Sequence, residues 1–274
     1  MKRIITAAIL IPLVVALILF GPLWLLMLTA WAVAELALQE YLMLAGIAGA
    51  GSLRRAVMLC CTFLFLVAYW FPLLLLAAYG VCAAALFTLA AATLPMDRVL
   101  RDTAAAVFGL VYVGLPMIFA ALLTARENGT AQLLFALLIV WTGDIAALYV
   151  GRAVGRHRMA PVLSPKKTWE GAFGSVAGAV AIGLALVWLA GHITHHGVAV
   201  LSYAQPWWYW TLLAIALNVA AQTGDLLESA IKRGAGIKDS GSILPGHGGV
   251  LDRIDAMLLA IPVLWYALVF RQPF

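Results

Sequence analysis

Long apolar runs, separated by charged residues and by Gly or Pro breaks, repeat from one end of the chain to the other. Each run has at least 17 residues, and a helix of that length can cross roughly 30 Å of hydrocarbon. The runs predict nine membrane spans, near residues 4–20, 23–43, 55–71, 73–95, 104–124, 131–150, 171–191, 207–229 and 251–270. The pattern therefore predicts an all-α fold, a polytopic membrane helical bundle in which the Gly21-Pro22 and Phe71-Pro72 breaks separate antiparallel helix pairs.

The composition agrees with a membrane protein and excludes a soluble globule. Hydrophobic residues make up 65% of the chain and charged residues 11%, with a mean hydropathy of +1.04, so too little polar surface exists to face water on all sides. The three cysteines lie inside apolar runs without disulfide or zinc spacing, which indicates packing residues. We expect one integral membrane domain over residues 1–274, with a retained first helix.

The positions of the cationic residues predict the orientation of the bundle. Cytoplasmic loops carry the excess of Lys and Arg. A cytoplasmic N-terminus leaves only Arg126 and Arg271, of the 17 cations, on the outer side. The aromatic run Trp207–Trp210 then lies at the outer interface, as aromatic belts do.

Carboxylates are scarce and concentrate in the second half of the chain. Asp144 lies inside the sixth predicted span, Asp225 lies on one helical face with Gln222, Ser229 and Lys232, and Asp252 follows the start of the ninth span. Three helices can thus direct carboxylates toward one point near the cytoplasmic interface, and oxygen ligands without Cys or His favour Mg²⁺. The alternative is a set of structural ion pairs, for instance Asp252 with Arg253 or Asp225 with Lys232.

Two predicted cytoplasmic loops, 151–171 and 230–250, carry the remaining polar chemistry. We expect residues 1–130 to form N-terminal helices and residues 131–274 to form the half that carries the chemistry. The Ser164–Gly171 segment contains a Pro-fixed turn, two lysines and a hydroxyl just before a predicted helix. This combination of groups suits phosphate binding. The glycines 246, 248 and 249 precede the ninth span and can present bare backbone N–H groups to an anion. For the other arginines of the first loop, attraction to anionic lipid is a sufficient account.

At these residues the sequence resembles the phosphatidate cytidylyltransferase (CDP-diacylglycerol synthase) family. The family pattern S-x-x-K-R-x4-K-D-x5-P-G-H-G-G-x-x-D-R-x-D is filled from Ser229 to Asp255, and S-P-K-K-T-W-E-G matches Ser164–Gly171 in full. The pattern G-D-L-x-E-S matches Gly224–Ser229. The element beginning at Asp144 resembles the family except that Tyr149 stands one place late.

The resemblance implies a Mg²⁺-dependent enzyme that transfers CMP from CTP to phosphatidic acid, giving CDP-diacylglycerol and pyrophosphate. It implies one or two divalent cations and admits a second, monovalent one. The implied catalytic residues are Asp225, Asp252, Lys232, Lys238, Asp239, His247 and Arg253. The implied phosphate-binding residues are Ser164, Lys166, Lys167, Thr168, Ser229, Arg233, Gly248 and Gly249. The implied metal ligands are Asp225, Asp252, Asp144 and Glu228.

Two other classes of membrane protein agree less well with these residues. An ion-coupled transporter would place its carboxylates near the bilayer midplane, whereas here they cluster at one edge. A CDP-alcohol phosphotransferase would carry a D-G-x-x-A-R run that this chain lacks. We expect a multi-pass protein of the bacterial inner membrane with a cytoplasmic active site. The expected partners are CTP, phosphatidic acid and the bilayer, with no nucleic acid, and a homo-oligomer is compatible with the sequence.

Overall fold

The computed structural model describes residues 2–47, 51–195, 203, 205–241 and 248–269. Helices account for most of this part of the chain. The α-helices are α1 (Lys2–Phe20), α2 (Leu23–Leu44), α3 (Gly51–Trp70), α4 (Leu75–Thr93), α5 (Met96–Gly109), α6 (Leu115–Leu123), α7 (Gly129–Val154), α8 (Trp169–His195), α9 (Trp207–Gly234) and α10 (Leu251–Val269). Two short strands, β1 (Arg158–Ala160) and β2 (Ser164–Thr168), lie between α7 and α8 in the chain.

Seven helical segments of the described residues are long and apolar enough to cross a membrane. They are Leu23–Leu44, Gly51–Trp70, Pro72–Thr93, Met96–Leu123, Gly129–Val154, Trp169–Ile193 and Trp207–Gly234. Helix α1 adds a shorter apolar stretch, Ile11–Phe20, and α10 carries three charged residues near its start. The helical membrane class is therefore confirmed, whereas the count of nine spans and the cytoplasmic N-terminus stay predictions.

The helix breaks lie where glycine and proline predict them. Pro22 separates α1 from α2 with φ −67° and ψ 154°, an extended conformation that cannot continue a helix. Gly21 fits the turn because a Cβ there would lie 2.3 Å from the carbonyl oxygen of Leu17. Pro72 begins a short 3₁₀ turn, Pro72–Leu74, that leads into α4.

The fifth predicted span, near 104–124, belongs to a longer helical segment that begins at Met96. Its first part, α5, is amphipathic, and there Arg98 Nη2 lies 2.9 Å from Asp102 Oδ2. A π-helical turn, Leu110–Gly114, separates α5 from α6. Pro116 follows this turn, and a proline ring clashes with the carbonyl four residues earlier, so the wider turn accommodates the ring.

The chain divides into two compact units. The first unit comprises Met1–Leu122 and Ile231–Ile254, and the second comprises Leu123–Ala230 and Asp255–Phe274. In the first unit α2 packs on α3, α3 on α4, and α4 on α5. In the second unit α7 packs closely on α8. Gly178 permits this approach, because a Cβ at that position would lie 2.6 Å from the Cβ of Ala146.

A β-hairpin in the second unit differs from what the sequence predicts for the first loop. Strands β1 and β2 pair antiparallel, with Arg158 opposite Thr168 and Ala160 opposite Ser164. The turn lies at residues 161–163, so the Pro-fixed turn predicted at the start of the Ser164–Gly171 segment is wrong. Residues 164–168 are instead extended and run directly into α8. Pairing with β1 determines this extended conformation. The residues of the segment itself do not predict it.

Candidate active site

A lysine and two carboxylates from three elements form the first cluster, within the second unit. Lys167 of β2 places its Nζ 2.5 Å from Oδ2 of Asp225 in α9. Asp144 of α7 lies within electrostatic range of both charges. The side chains of Lys167 and Asp225 are 23% and 38% exposed, whereas the Lys167 Nζ atom itself is buried. The structure thus brings together three of the residues that the sequence singled out.

A largely buried polar layer joins α8 to α9, and α7 approaches it closely at Gly143. Gln222 Nε2 donates to Asn218 Oδ1 at 2.7 Å and to the carbonyl of Ala172 at 3.3 Å. Asn218 Nδ2 donates to Ser175 Oγ at 2.9 Å. Gly143, the neighbour of Asp144, allows the contact, because a Cβ there would lie 2.2 Å from Asn218 Nδ2. These hydrogen bonds restrain α9, which carries Asp225, against α8.

Sequence reasoning missed Asn218 and Ser175, both of which are buried. The available signal was their polarity within otherwise apolar helices, where unpaired amides and hydroxyls are costly.

Helix α9 also approaches the backbone of α10 closely within the second unit. A Cβ at Gly224 would lie 2.6 Å from the carbonyl oxygen of Asp255 and 3.4 Å from Cα of Ala256. Any larger residue at this position would push the two helices apart. The glycine that precedes Asp225 therefore sets the distance between α9 and α10 at the level of the carboxylate.

Two side-chain contacts, one of them a helix cap, hold the Ser164–Gly171 segment at the start of α8. Thr168 Oγ1 accepts the backbone N–H of Gly171 at 3.1 Å, which satisfies one of the free amides of the helix start. Glu170 Oε1 lies 2.7 Å from His157 Nδ1. Thr168 thus has a structural partner where the sequence predicted a phosphate contact. Ser164 is half-buried and Lys166 is exposed.

An open cavity of about 650 Å³ lies beside this hairpin, within the second unit. Its lining residues are Arg156, His157, Arg158, Trp169, Glu170 and Phe173. The cavity combines cationic and aromatic side chains.

A second lysine and carboxylate pair forms in the first unit. Lys232 Nζ lies 2.6 Å from Oδ1 of Asp252, and the two side chains are only 14% and 8% exposed. The other oxygen, Oδ2, accepts the N–H of Ser240 at 3.0 Å and the N–H of Gly249 at 2.8 Å. The bond to Gly249, three residues earlier, is the one that a carboxylate makes in a capping box. Asp252 therefore anchors the start of α10 as well as pairing with the lysine.

The glycines before α10 serve this anchoring. Gly248 has φ +78°, and a Cβ there would lie 2.6 Å from Asp252 Oδ2. Because Gly249 donates its N–H to Asp252, it is not the bare amide that the sequence predicted. The next two amides, of Val250 and Leu251, donate to Glu40 of α2, a residue to which the sequence gave no role.

The remaining predicted site residues differ in exposure. Arg233, Lys238, Asp239 and Arg253 are exposed, Ser229 is half-buried and Glu228 is buried. His247 lies outside the described residues. Two ion pairs among the described residues, Lys167 with Asp225 and Lys232 with Asp252, join different elements of the chain.

The donor groups fit a magnesium ion better than a metal held by protein alone. Within the described ranges, no group of three or more His, Cys, Asp or Glu lies close enough to hold a metal. Mg²⁺ usually takes one or two carboxylates and completes its shell with water and substrate phosphates. Asp144 and Asp225 match that requirement. Lys167 supplies the positive charge at Asp225 in this structure.

The fold and these clusters define a class, a helical membrane protein with lysine–carboxylate pairs that join its polar segments to its helices. The family model of the Cytidylyltransferase family matches residues 1–271. The chain therefore belongs to that family.

Several curated relatives carry the same name. The chain is 42% identical over 167 residues to a protein of Brucella suis biovar 1 named phosphatidate cytidylyltransferase, which covers 60% of this chain and 57% of the relative. It is 38% identical over 163 residues to a protein of that name from Staphylococcus epidermidis, covering 60% and 58%. It is 35% identical over 163 residues to a third from Staphylococcus haemolyticus, with the same coverage. The chain thus spans less than three fifths of these relatives.

Proposed function

We propose that the protein is a phosphatidate cytidylyltransferase, which transfers CMP from CTP to phosphatidic acid and releases pyrophosphate. The observation that carries the proposal is the cluster of Lys167 with Asp144 of α7 and Asp225 of α9, in a chain of the Cytidylyltransferase family. A cation-binding carboxylate pair beside a lysine suits a reaction between two phosphate groups.

The proposed reaction is an in-line displacement at the α-phosphorus of CTP. An oxygen of the lipid phosphate forms the new bond to that phosphorus, while the bond to the bridging oxygen of the β-phosphate breaks and pyrophosphate leaves. A phosphomonoester has a second pKa near ~6, so the attacking oxygen is already ionised at neutral pH. The site needs no strong base, and its task is to position and neutralise the phosphates.

The lysines supply part of this neutralisation. The Nζ atoms of Lys167 and Lys232 lie 2.5 and 2.6 Å from a carboxylate oxygen of Asp225 and Asp252. Each pair fixes the position of one ammonium group. We propose that the phosphates of the arriving substrate take over Lys167, and that Asp225 then becomes available to a cation. Exposed cations in each unit, Lys166 in the second and Arg233, Lys238 and Arg253 in the first, add attraction for polyanionic substrates.

Asp144 and Asp225 are the residues that would hold Mg²⁺. When bound, the ion lowers the charge of the triphosphate and stabilises the attacking and leaving oxygens. Asp252 already accepts hydrogen bonds from Lys232 and two amides, which hold its oxygens in place. Its contribution, with that of Glu228 and of a second, monovalent cation, stays a prediction.

The apolar helices would keep the lipid substrate in the bilayer while its phosphate meets CTP at the cytoplasmic face. We place the enzyme in a bacterial plasma membrane, in line with the bacterial sources of the relatives. A homo-oligomer stays a prediction.

The test is a reconstituted assay with the purified protein in detergent micelles, phosphatidic acid and α-labelled CTP. Label should move into a lipid product, one pyrophosphate should appear per label transferred, and both should require added Mg²⁺. Asp97→Asn is a suitable control variant, because Asp97 is an exposed carboxylate at the start of α5. Absence of lipid labelling by the wild-type protein, under conditions where it stays folded, would refute the proposal.

A further inference from the structure

Glu40 is a fully buried carboxylate near the end of α2, with 0% of the residue exposed. A buried charge is costly unless hydrogen bonds satisfy it. Its donors come from a segment about 200 positions later in the chain. Ser240 Oγ donates to Oε2 at 2.9 Å, Leu251 N–H donates to Oε2 at 2.8 Å, and Val250 N–H donates to Oε1 at 3.0 Å. A residue of the N-terminal helices therefore holds the segment that carries the family pattern.

The backbone of that segment is built around the Glu40 side chain. A Cβ at Gly241 would lie 2.5 Å from Oε1, and a Cβ at Gly249 would lie 2.3 Å from Oε2. Any other residue at either position would displace the carboxylate. These two glycines are therefore explained by close packing against Glu40, since neither has a positive φ.

Glu40 and Asp252 divide the free amides at the start of α10 between them. Gly249 donates to Asp252, and the next two amides donate to Glu40. Ser240 connects the two acids, because its N–H donates to Asp252 and its hydroxyl donates to Glu40. Losing the Glu40 contacts would release the backbone that fixes Asp252, and with it the pair that Asp252 forms with Lys232.

We propose that Glu40 is a positioning residue of the enzyme, acting through Asp252 to hold the Lys232–Asp252 pair in place for the phosphates and their cation. The inference rests on the proposed cytidylyltransferase function, and it gives the N-terminal helices a part in the chemistry beyond membrane anchoring. Residues that orient a site in this way typically change metal affinity or activity by about 10- to 100-fold when substituted.

The test compares Glu40→Gln with Glu35→Gln. Gln has the size of Glu, but its NH₂ group cannot accept the hydrogen bonds that one carboxylate oxygen receives. Glu35 is the matched control, since it lies on the same helix and accepts a hydrogen bond from Thr62 Oγ1 at 2.9 Å, away from the segment that Glu40 holds. Ser240→Ala is a milder variant that removes one of the three bonds and leaves α2 unchanged.

Two measurements are made on full-length protein in detergent. The first is hydrogen exchange, by mass spectrometry, of the amides of residues 248–251, which needs no activity. The second is the Mg²⁺ concentration that gives half-maximal CMP transfer. We expect Glu40→Gln to lose exchange protection at these amides and to need roughly 10-fold or more Mg²⁺. Ser240→Ala should change both in the same direction by less, and Glu35→Gln should match wild type.

Wild-type exchange at residues 248–251 in Glu40→Gln overturns the inference, and so does an unchanged Mg²⁺ requirement in an active enzyme. Equal losses in Glu40→Gln and Glu35→Gln also overturn it, because they would indicate general weakening of α2. If Glu40→Gln does not fold, Ser240→Ala decides by the same two criteria. If the wild-type protein transfers no CMP, the proposed function fails, and the exchange measurement alone decides whether Glu40 holds the segment.

Discussion

Asp225→Asn separates the metal role of this carboxylate from its role as an ion-pair partner. The substitution keeps the shape of the side chain and removes its charge, so it breaks the 2.5 Å contact with Lys167 as a salt bridge. At an effective dielectric constant near ~20, the gross attraction of such a pair is about 7 kcal/mol. Because both side chains are partly exposed, desolvation and water offset most of it, and pairs of this kind contribute about 1 kcal/mol or less.

The expected loss of stability is therefore small, while the expected loss of activity is large. An amide oxygen cannot balance the charge of a bound Mg²⁺, and removing one charge-stabilising group from an active site typically costs about 10²- to 10³-fold in turnover. We expect Asp225→Asn to keep the thermal stability of the wild-type protein within a few degrees and to lose at least ~100-fold in kcat.

The assay follows the initial rate of CDP-diacylglycerol formation across a range of Mg²⁺ concentrations, with a thermal melt of each variant as the folding control. Asp97→Asn, at an exposed carboxylate of α5, should behave like wild type in both measurements. Near-normal turnover in Asp225→Asn would indicate that Asp225 forms only a structural ion pair and binds no metal. A large fall in melting temperature would instead show that the pair stabilises the fold more than its exposure allows.

Three further predictions follow from the same contacts. Lys167→Ala should lower kcat/KM for a phosphate-bearing substrate by roughly 10- to 100-fold, the value of a charged hydrogen bond, whereas Arg158→Ala, at an exposed position of β1, should change it little. Asp252→Asn should reduce stability by about 3 kcal/mol or more in a denaturation assay, because it removes the charge that Asp252 presents to the largely buried Lys232. A loss below about 1 kcal/mol would contradict the anchoring role. In a Cys-free background, Asp239→Cys should react with a membrane-impermeant maleimide in inside-out vesicles and Glu127→Cys in intact cells, and the reverse pattern would refute the predicted orientation.

The choice of labelling position shows where sequence reasoning falls short. Ser240 and Asp239 are neighbours in a polar, glycine-rich segment, and the sequence gives no reason to treat them differently. The structure buries Ser240 to 4% exposure and leaves Asp239 exposed. The buried hydroxyl of Ser240 donates to Glu40, which lies 200 positions away in the chain. No local sequence pattern could predict this contact.

The two ion pairs illustrate the same limit. The sequence suggested Asp225 with Lys232, because both lie on one face of one helix. The structure pairs Asp225 with Lys167 from β2 and Lys232 with Asp252 from α10. Helical periodicity predicts which residues share a face of one helix. The ion-pair partner from another element depends on how the elements pack in the folded protein.

The sequence by itself determined the helical membrane class, the helix breaks at Pro22 and Pro72, and membership of the Cytidylyltransferase family, since hydropathy, proline geometry and motif spacing are properties of local sequence. Only the tertiary structure decided that Ser164–Thr168 is a strand, that a π-helical turn precedes Pro116, and that Glu40 holds the start of α10. Each of these depends on a group that is distant in the chain or on space left by packed neighbours. Hydrogen bonds across such distances form only once the helices have packed, and they decide how the residues of the site are placed.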